Sequence, residues 1–426
     1  MAGNLTLNIT IYRKLFCLVA VIVLMIWRCP AFLVEPRFWA EEGKYYFESA
    51  YNNSFWHGMF AEHFGYFSFV PNAATAFATL FPLEVAPLFT TYTAGVFQLL
   101  VCSLIIFGNS PFWDTVPRKL LVACGMLLLA PGEVWLTTIC TQYWLTIAVF
   151  LLLLEPAAHL ELFRKWFYRA CLLTAGITSV TACFMTPLYF IKAMRNRERE
   201  VFVQACVLGG ATLVQLVVLL SSLGSESHLN ARFGGNDFSL AKLAMLQLVW
   251  PFIGHTFFES GIVISLDEWF LGKGFYLGSM PRFSELICAL CICGLVMGIA
   301  WYYRKDRDRQ LIIGAFLLTV VLSTVLSIRM ASSPRYVFAP SVMLLVLFAG
   351  EFRLRQATAM KLCVSSLLLI FTVSGMSNFR RSVYYNTNWP KWKEEVEIWR
   401  TQPGYQLLIW PQFRSTRWTM ELTRHE

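Results

Sequence analysis

The sequence predicts an all-α polytopic membrane protein of about eleven transmembrane helices, or eleven to thirteen with re-entrant segments. Two observations carry this. The 426 residues are 57% hydrophobic and only 14% charged, against about 25% charged in soluble domains. The apolar residues also fall in long runs separated by short basic clusters, which is how topology is encoded at a bilayer. The same clustering explains the net charge of +9 without a nucleic-acid partner.

The elements follow in order. Clear spans cover roughly 14–33, 86–107, 133–154, 201–221, 283–302, 311–328, 337–350 and 361–377, and three shorter runs cover 119–131, 170–182 and 184–193. With all eleven as spans, six short inside segments hold about half of the 35 Lys and Arg. These include Arg13/Lys14, Arg118/Lys119, Arg164/Lys165/Arg169, "KAMRNRER" (192–199), "RKDRDR" (304–309) and 351–361. No small-residue cleavage site follows the first run, so it reads as a retained span with a cytoplasmic N-terminus. Odd parity puts the C-terminus outside. The division is a transmembrane domain, 1–377, with outer loops 35–70 and 222–282, followed by an outer tail, 378–426. In the tail, Trp389, Trp392, Val396 and Trp399 recur at helical spacing, and "YQLLIWPQF" (405–413) reads as a short buried strand or extended segment. There is no internal repeat, no P-loop, and no cysteine pair of metal-site type with a second ligand pair nearby.

Candidate chemistry therefore lies on the outer face. "RFWAEEGKYYFESAYNN" (37–53) sets Glu41, Glu42 and Glu48 among aromatics at the mouth of the first span. As a helix starting near Pro36 it places 41, 45 and 48 on one face and 42, 46 and 49 on another. A carboxylate walled by aromatics at a membrane surface resists ionisation, which suits a general base. The same residues also fit an interfacial helix with solvated acids and an aromatic belt. His63, Tyr66 and Asn72 follow in 61–77, and "PGEVWLTTICTQYWL" (131–145) brings Glu133, Thr138, Thr141 and Gln142 to membrane depth. Gln142 there fits either a cavity wall or a link between helices. "SIRMASSPRYVFAP" (327–340) holds Arg329 and Arg335, whose planar donor forks suit a phosphate, and Arg232 supplies a third cation.

"AEEG" (40–43), "GYF" (65–67), "TQYW" (141–144), "SSPRYVFAP" (332–340) and "IWP" (409–411) together resemble the polytopic GT-C glycosyltransferases. Within that group the chain looks like the bacterial enzymes that decorate surface polysaccharide, including O-antigen glucosyltransferases of lipopolysaccharide. The resemblance implies an inner-membrane hexosyltransferase that takes sugar from a polyprenyl-phosphate-linked donor. The acceptor is a lipid-linked or surface polysaccharide, membrane lipids surround the protein, and no nucleic acid is involved. It implies the catalytic acid at Glu42, with Glu41 beside it, and donor phosphate at Arg335, joined by Arg329 or Arg232. Tyr66, His63, Gln142, Trp144 and Tyr336 are the expected substrate-binding residues, with Trp39 as a further aromatic face. No Asp-x-Asp is present, so a divalent cation (Mg or Mn) at the loop stays open. A transporter or flippase of a lipid-linked saccharide, or an envelope-assembly scaffold, are the competing readings.

Overall fold

The computed structural model describes residues 2–158, 160–222, 300–326, 334–351, 389–412 and 417–424, with Gly298 and isolated positions between 362 and 379. The span expected at 283–302 lies largely outside the described residues, and those at 311–328 and 361–377 lie partly outside. Loop 223–282, Arg232 and Arg329 lie wholly outside them.

The fold is mostly helical. The first helix, α1 (Ala2–Arg28), presents an apolar stripe of Leu15, Phe16, Val19, Val23 and Ile26 to its surroundings, while Cys17 and Val21 face inward. A helix that exposes hydrocarbon on its outer side suits lipid rather than water. A short α2 (Ala31–Val34) follows. Among the described residues, α6 (Ala86–Phe107) and α12 (Arg199–Ser222) are long and apolar enough to cross a membrane. A third span exists if α9 (Leu162–Thr178) is counted with its continuation through α10 (Val180–Cys183) and α11 (Thr186–Asn196), bent by 120° at Ser179. The short runs at 170–182 and 184–193 belong to this bent pair.

The run at 133–154 divides. α7 (Val116–Leu129) ends, a 3-10 turn occupies Gly132–Val134, and α8 (Thr141–Leu153) is only 13 residues long. Every residue of α8 except Gln142 is buried. Its apolarity on every side is that of a helix packed at the centre of the bundle. α8 lies among α6, α9, α10 and α14 (Pro334–Glu351), and α14 in turn packs on α13 (Arg307–Leu326). Helix starts follow the prolines: Pro87, Pro117 and Pro187 each stand in a first turn, where the missing N–H costs nothing.

Helix ends are closed by buried cations. A helix C-terminus leaves carbonyls unpaired and carries partial negative charge. Lys119 donates to the carbonyls of Ile105, Ile106 (2.9 Å) and Gly108 (2.6 Å) at the end of α6. Lys192 donates to those of Leu153 (2.7 Å) and Glu155 (2.8 Å) at the end of α8. Arg28 donates to Leu127 (2.7 Å) and Ala130 at the end of α7. The ion pairs Arg169–Glu200 and Arg309–Glu351 tie α9 to α12 and α13 to α14. Basic residues that read as topology marks in the sequence thus also cap and join helices.

Smaller elements fill the segment between α2 and α6 and the tail. A π-helix (Glu42–Phe47) leads into α3 (Glu48–Asn52) and α4 (Phe55–Phe60). A tight hairpin of β1 (Glu62–His63) and β2 (Tyr66–Phe67) then precedes α5 (Phe69–Ala78). The tail forms α15 (Trp392–Thr401) and an antiparallel pair, β3 (Leu407–Gln412) and β4 (Arg417–Met420). Trp392, Val396 and Trp399 are buried as their spacing predicts, and burial alternates along β3. They share one apolar core with Phe38, Phe47, Leu83 and Ala86.

Candidate functional site

A cavity of about 800 Å3 opens where the acidic loop, the β1–β2 hairpin and the ends of α8, α10, α12, α13 and α14 converge. Glu41 is its one carboxylate and Arg335 its one guanidinium among the described lining residues. Tyr66, Gln142 and Tyr336 stand on the same wall. Much of the remainder is hydrocarbon, with Leu216 and Leu219 of α12, Leu318 and Leu322 of α13 and Phe190 of α11.

The acidic loop does not enter as a helix from Pro36. Phe38 and Trp39 run beside β3: the Trp410 N–H donates to the Phe38 carbonyl (3.1 Å), and the Ala40 N–H donates to the Trp410 carbonyl. Ala40 then takes a left-handed backbone (φ 42°), and the π-helix follows. The wider π-turn changes the faces that α-helical spacing predicts. Glu41 and Tyr45 share the cavity wall as expected, but Tyr46 joins them, and Glu48 does not. Glu48 instead pairs with Lys44 (3.0 Å) and accepts the N–H of Glu421 (2.8 Å) from the tail.

Glu42 goes elsewhere. It is 1% exposed and is not on the cavity wall. One carboxylate oxygen accepts the backbone N–H of Thr138 (2.8 Å) and the Thr138 hydroxyl, and the other faces the Trp39 N–H (3.4 Å). Burial pushes its carboxyl above the usual glutamate range, although these hydrogen bonds and nearby Arg37 pull the other way.

The hairpin turns at Phe64 and Gly65, both at positive φ (62° and 82°), as a two-residue connection between twisted strands demands. Gln215 of α12 fixes it: its amide accepts the Phe67 N–H (3.1 Å) and donates to the Phe67 (2.8 Å) and Gly176 (3.1 Å) carbonyls. This holds Phe64, Gly65 and Tyr66 against the cavity. His63 pairs with Tyr66 across the hairpin but lies off the wall, with its ring 4.3 Å from that of Tyr46. Trp144 is fully buried. Its indole donates to the Val134 carbonyl (3.2 Å) and its ring meets Phe338 edge-on at 4.9 Å. Trp39 is likewise buried, beside Trp389 and off the cavity wall. Asn72 is buried too, tying the Ala61 carbonyl (2.6 Å) ahead of the hairpin.

Arg335 opens α14. Its backbone N–H donates to Glu133 Oε1 (3.0 Å), and its guanidinium lies 3.8 Å from Glu133 Oε2 and 3.4 Å from the Tyr336 hydroxyl. Glu133 therefore serves the N-terminus of α14, not that of α8.

The sequence reading missed Gln215, Thr181, Thr186, Thr212 and Ser323, which add to the polar part of the wall. The available signal was polar residues within otherwise apolar runs, which usually face a bundle interior or a cavity. Among the described residues no three His, Cys, Asp or Glu side chains are grouped to hold a metal. The described wall offers one carboxylate, Glu41, and a Mg2+ ion at a phosphate-binding site is commonly held by one or two carboxylates together with the substrate's phosphate oxygens. No protein-family model, curated protein or solved structure matches this chain.

Proposed function

We propose that this chain is a membrane glycosyltransferase of GT-C type, moving a sugar from a polyprenyl-phosphate donor to a cell-surface glycan. The observation that carries the reading is the composition of the cavity. Among the described residues, one carboxylate, one guanidinium and a few hydroxyl and amide groups face a space whose other described walls are largely hydrocarbon. That chemistry fits an amphiphile with an anionic headgroup and a sugar.

In this reading Glu41 is the base, because it reaches the cavity and Glu42 does not. Glu41 takes the proton of the acceptor hydroxyl as its oxygen bonds to the sugar's anomeric carbon. The bond from that carbon to the phosphate oxygen breaks with its electron pair, and the lipid phosphate leaves with the negative charge. The transition state is oxocarbenium-like, and attack from the opposite face inverts the anomeric centre. Arg335 meets the growing charge on the phosphate. Tyr66 and Gln142 suit the apolar face and hydroxyls of the sugar. The finer architecture belongs to the same proposal: eleven spans in a bacterial inner membrane, N-terminus cytoplasmic, with the acidic loop and tail outside.

The test supplies membranes holding the full chain with radiolabelled polyprenyl-phosphate hexose. Label in polysaccharide with inverted anomeric configuration supports the reading. A second reading, movement of a lipid-linked saccharide across the bilayer, draws on the 120° break at Ser179, since broken helices line transport sites. In that case the labelled donor changes leaflet and stays intact.

A further inference from the structure

Two consecutive carboxylates leave one loop in different directions. Glu41 reaches the cavity wall, while Glu42 is enclosed against Thr138. The phase of a helix decides which way each side chain points, and that phase is set where the helix is entered. Here the residue before the first turn is Ala40, with φ 42°. A non-glycine residue adopts that backbone only where its surroundings over-determine it.

The surroundings come from the far end of the chain. Trp410 in β3 brackets the turn with its own peptide groups, donating to Phe38 and accepting from Ala40. One turn on, Gly43 rests on the neighbouring strand residue. A Cβ there would lie 2.7 Å from Ile409 Cδ1 and 3.0 Å from Phe38 Cβ. A methyl group there requires Ile409 to change rotamer and Phe38 to give way, and a larger side chain, with Phe38 already at 3.0 Å, presses on β3 itself.

We propose that β3 is a positioning element of the cavity: its backbone clamp on Phe38 and Ala40, and its seat for Gly43, hold the left-handed turn that sends Glu41 into the cavity and Glu42 away from it. Ala40, Gly43, Ile409 and Trp410 act through the two glutamates. The inference concerns their direction only and does not rest on glycosyl transfer. Its readout is side-chain reactivity, so its failure and the failure of the proposed reaction are seen separately.

The experiment labels carboxylates of the full chain in detergent with a water-soluble carbodiimide and glycine ethyl ester, and maps them by peptide mass spectrometry. In the wild type Glu41 labels at least roughly tenfold faster than Glu42. Ala40→Gly keeps that ratio, because glycine adopts the left-handed backbone without strain. Ala40→Val, β-branched and unable to hold it, and Gly43→Leu, which displaces β3, bring the two rates within about threefold. Glu155, 3% exposed and bound to the N–H groups of Asn109 and Ser110, reports the fold and stays unlabelled throughout. Equal labelling in the wild type overturns the proposal. So does a ratio lost in Ala40→Gly, or one unchanged in both Ala40→Val and Gly43→Leu. If Ala40→Val also exposes Glu155, Gly43→Leu alone decides.

Discussion

Glu42 and Thr138 are joined twice across 96 positions of chain: one carboxylate oxygen takes both the backbone N–H and the hydroxyl of Thr138. The pairing stitches the acidic loop to the segment between α7 and α8. It also keeps Glu42 off the cavity wall, where Glu41 is the carboxylate among the described residues.

Stability and chemistry should therefore divide between these neighbours. Glu42→Ala leaves a buried N–H unpaired and costs about 1–3 kcal/mol. Glu41→Gln, partly exposed and without a capping hydrogen bond, changes stability by less than about 0.5 kcal/mol. Thermal unfolding in detergent, followed by circular dichroism, measures both.

The pH dependence of stability follows from Glu42. Its carboxyl is held above the ordinary glutamate value of 4.5 by burial, so the folded state binds this proton more tightly than the unfolded state does. Its stabilising contribution is complete below that ordinary value and is lost as pH rises through the raised one. Glu42→Gln does not titrate. As pH rises above the ordinary glutamate value of 4.5, the wild-type melting temperature should fall relative to that of the variant. Parallel curves would contradict the burial argument.

The aromatic residues make a second contrast. Trp144 lies in the core against Phe338, and Trp144→Ala should cost about 3–5 kcal/mol. Tyr66 lies on the cavity wall, and Tyr66→Phe should leave the melting temperature nearly unchanged while lowering sugar transfer. Comparing melts with transfer rates separates core from contact.

Much of this was legible from periodicity and composition. The tail helix and strand came from the spacing of Trp392, Val396 and Trp399 and from the apolar run at 407–410. Polar residues at membrane depth pointed to Gln142, and it lines the cavity from α8 together with Tyr143. What periodicity missed depends on non-local geometry. A π-turn, a left-handed alanine and a clamp from a strand some 370 positions away set the directions of Glu41, Glu42 and Glu48. Helical spacing assumes a regular helix and knows none of these. Trp144 reads as a sugar platform from its type alone, but burial on every side makes it core.

Arg335 and Glu133 form a partly exposed pair, their side chains 22% and 26% accessible. A double-mutant cycle should give a coupling of about 0.5–1 kcal/mol, declining with added salt. Glu133→Ala should cost more than Glu133→Gln, because only alanine leaves the Arg335 N–H at the start of α14 without its acceptor.

The most direct test of the central claim compares Glu41→Gln with Glu42→Gln at equal expression, with folding verified for each. Membranes receive radiolabelled polyprenyl-phosphate hexose, and label entering polysaccharide is followed in a single turnover. Glu41→Gln should lower transfer by at least roughly a hundredfold, while folded Glu42→Gln retains most of it. Wild-type transfer that survives Glu41→Gln and collapses in folded Glu42→Gln would contradict the assignment of the base to the cavity carboxylate.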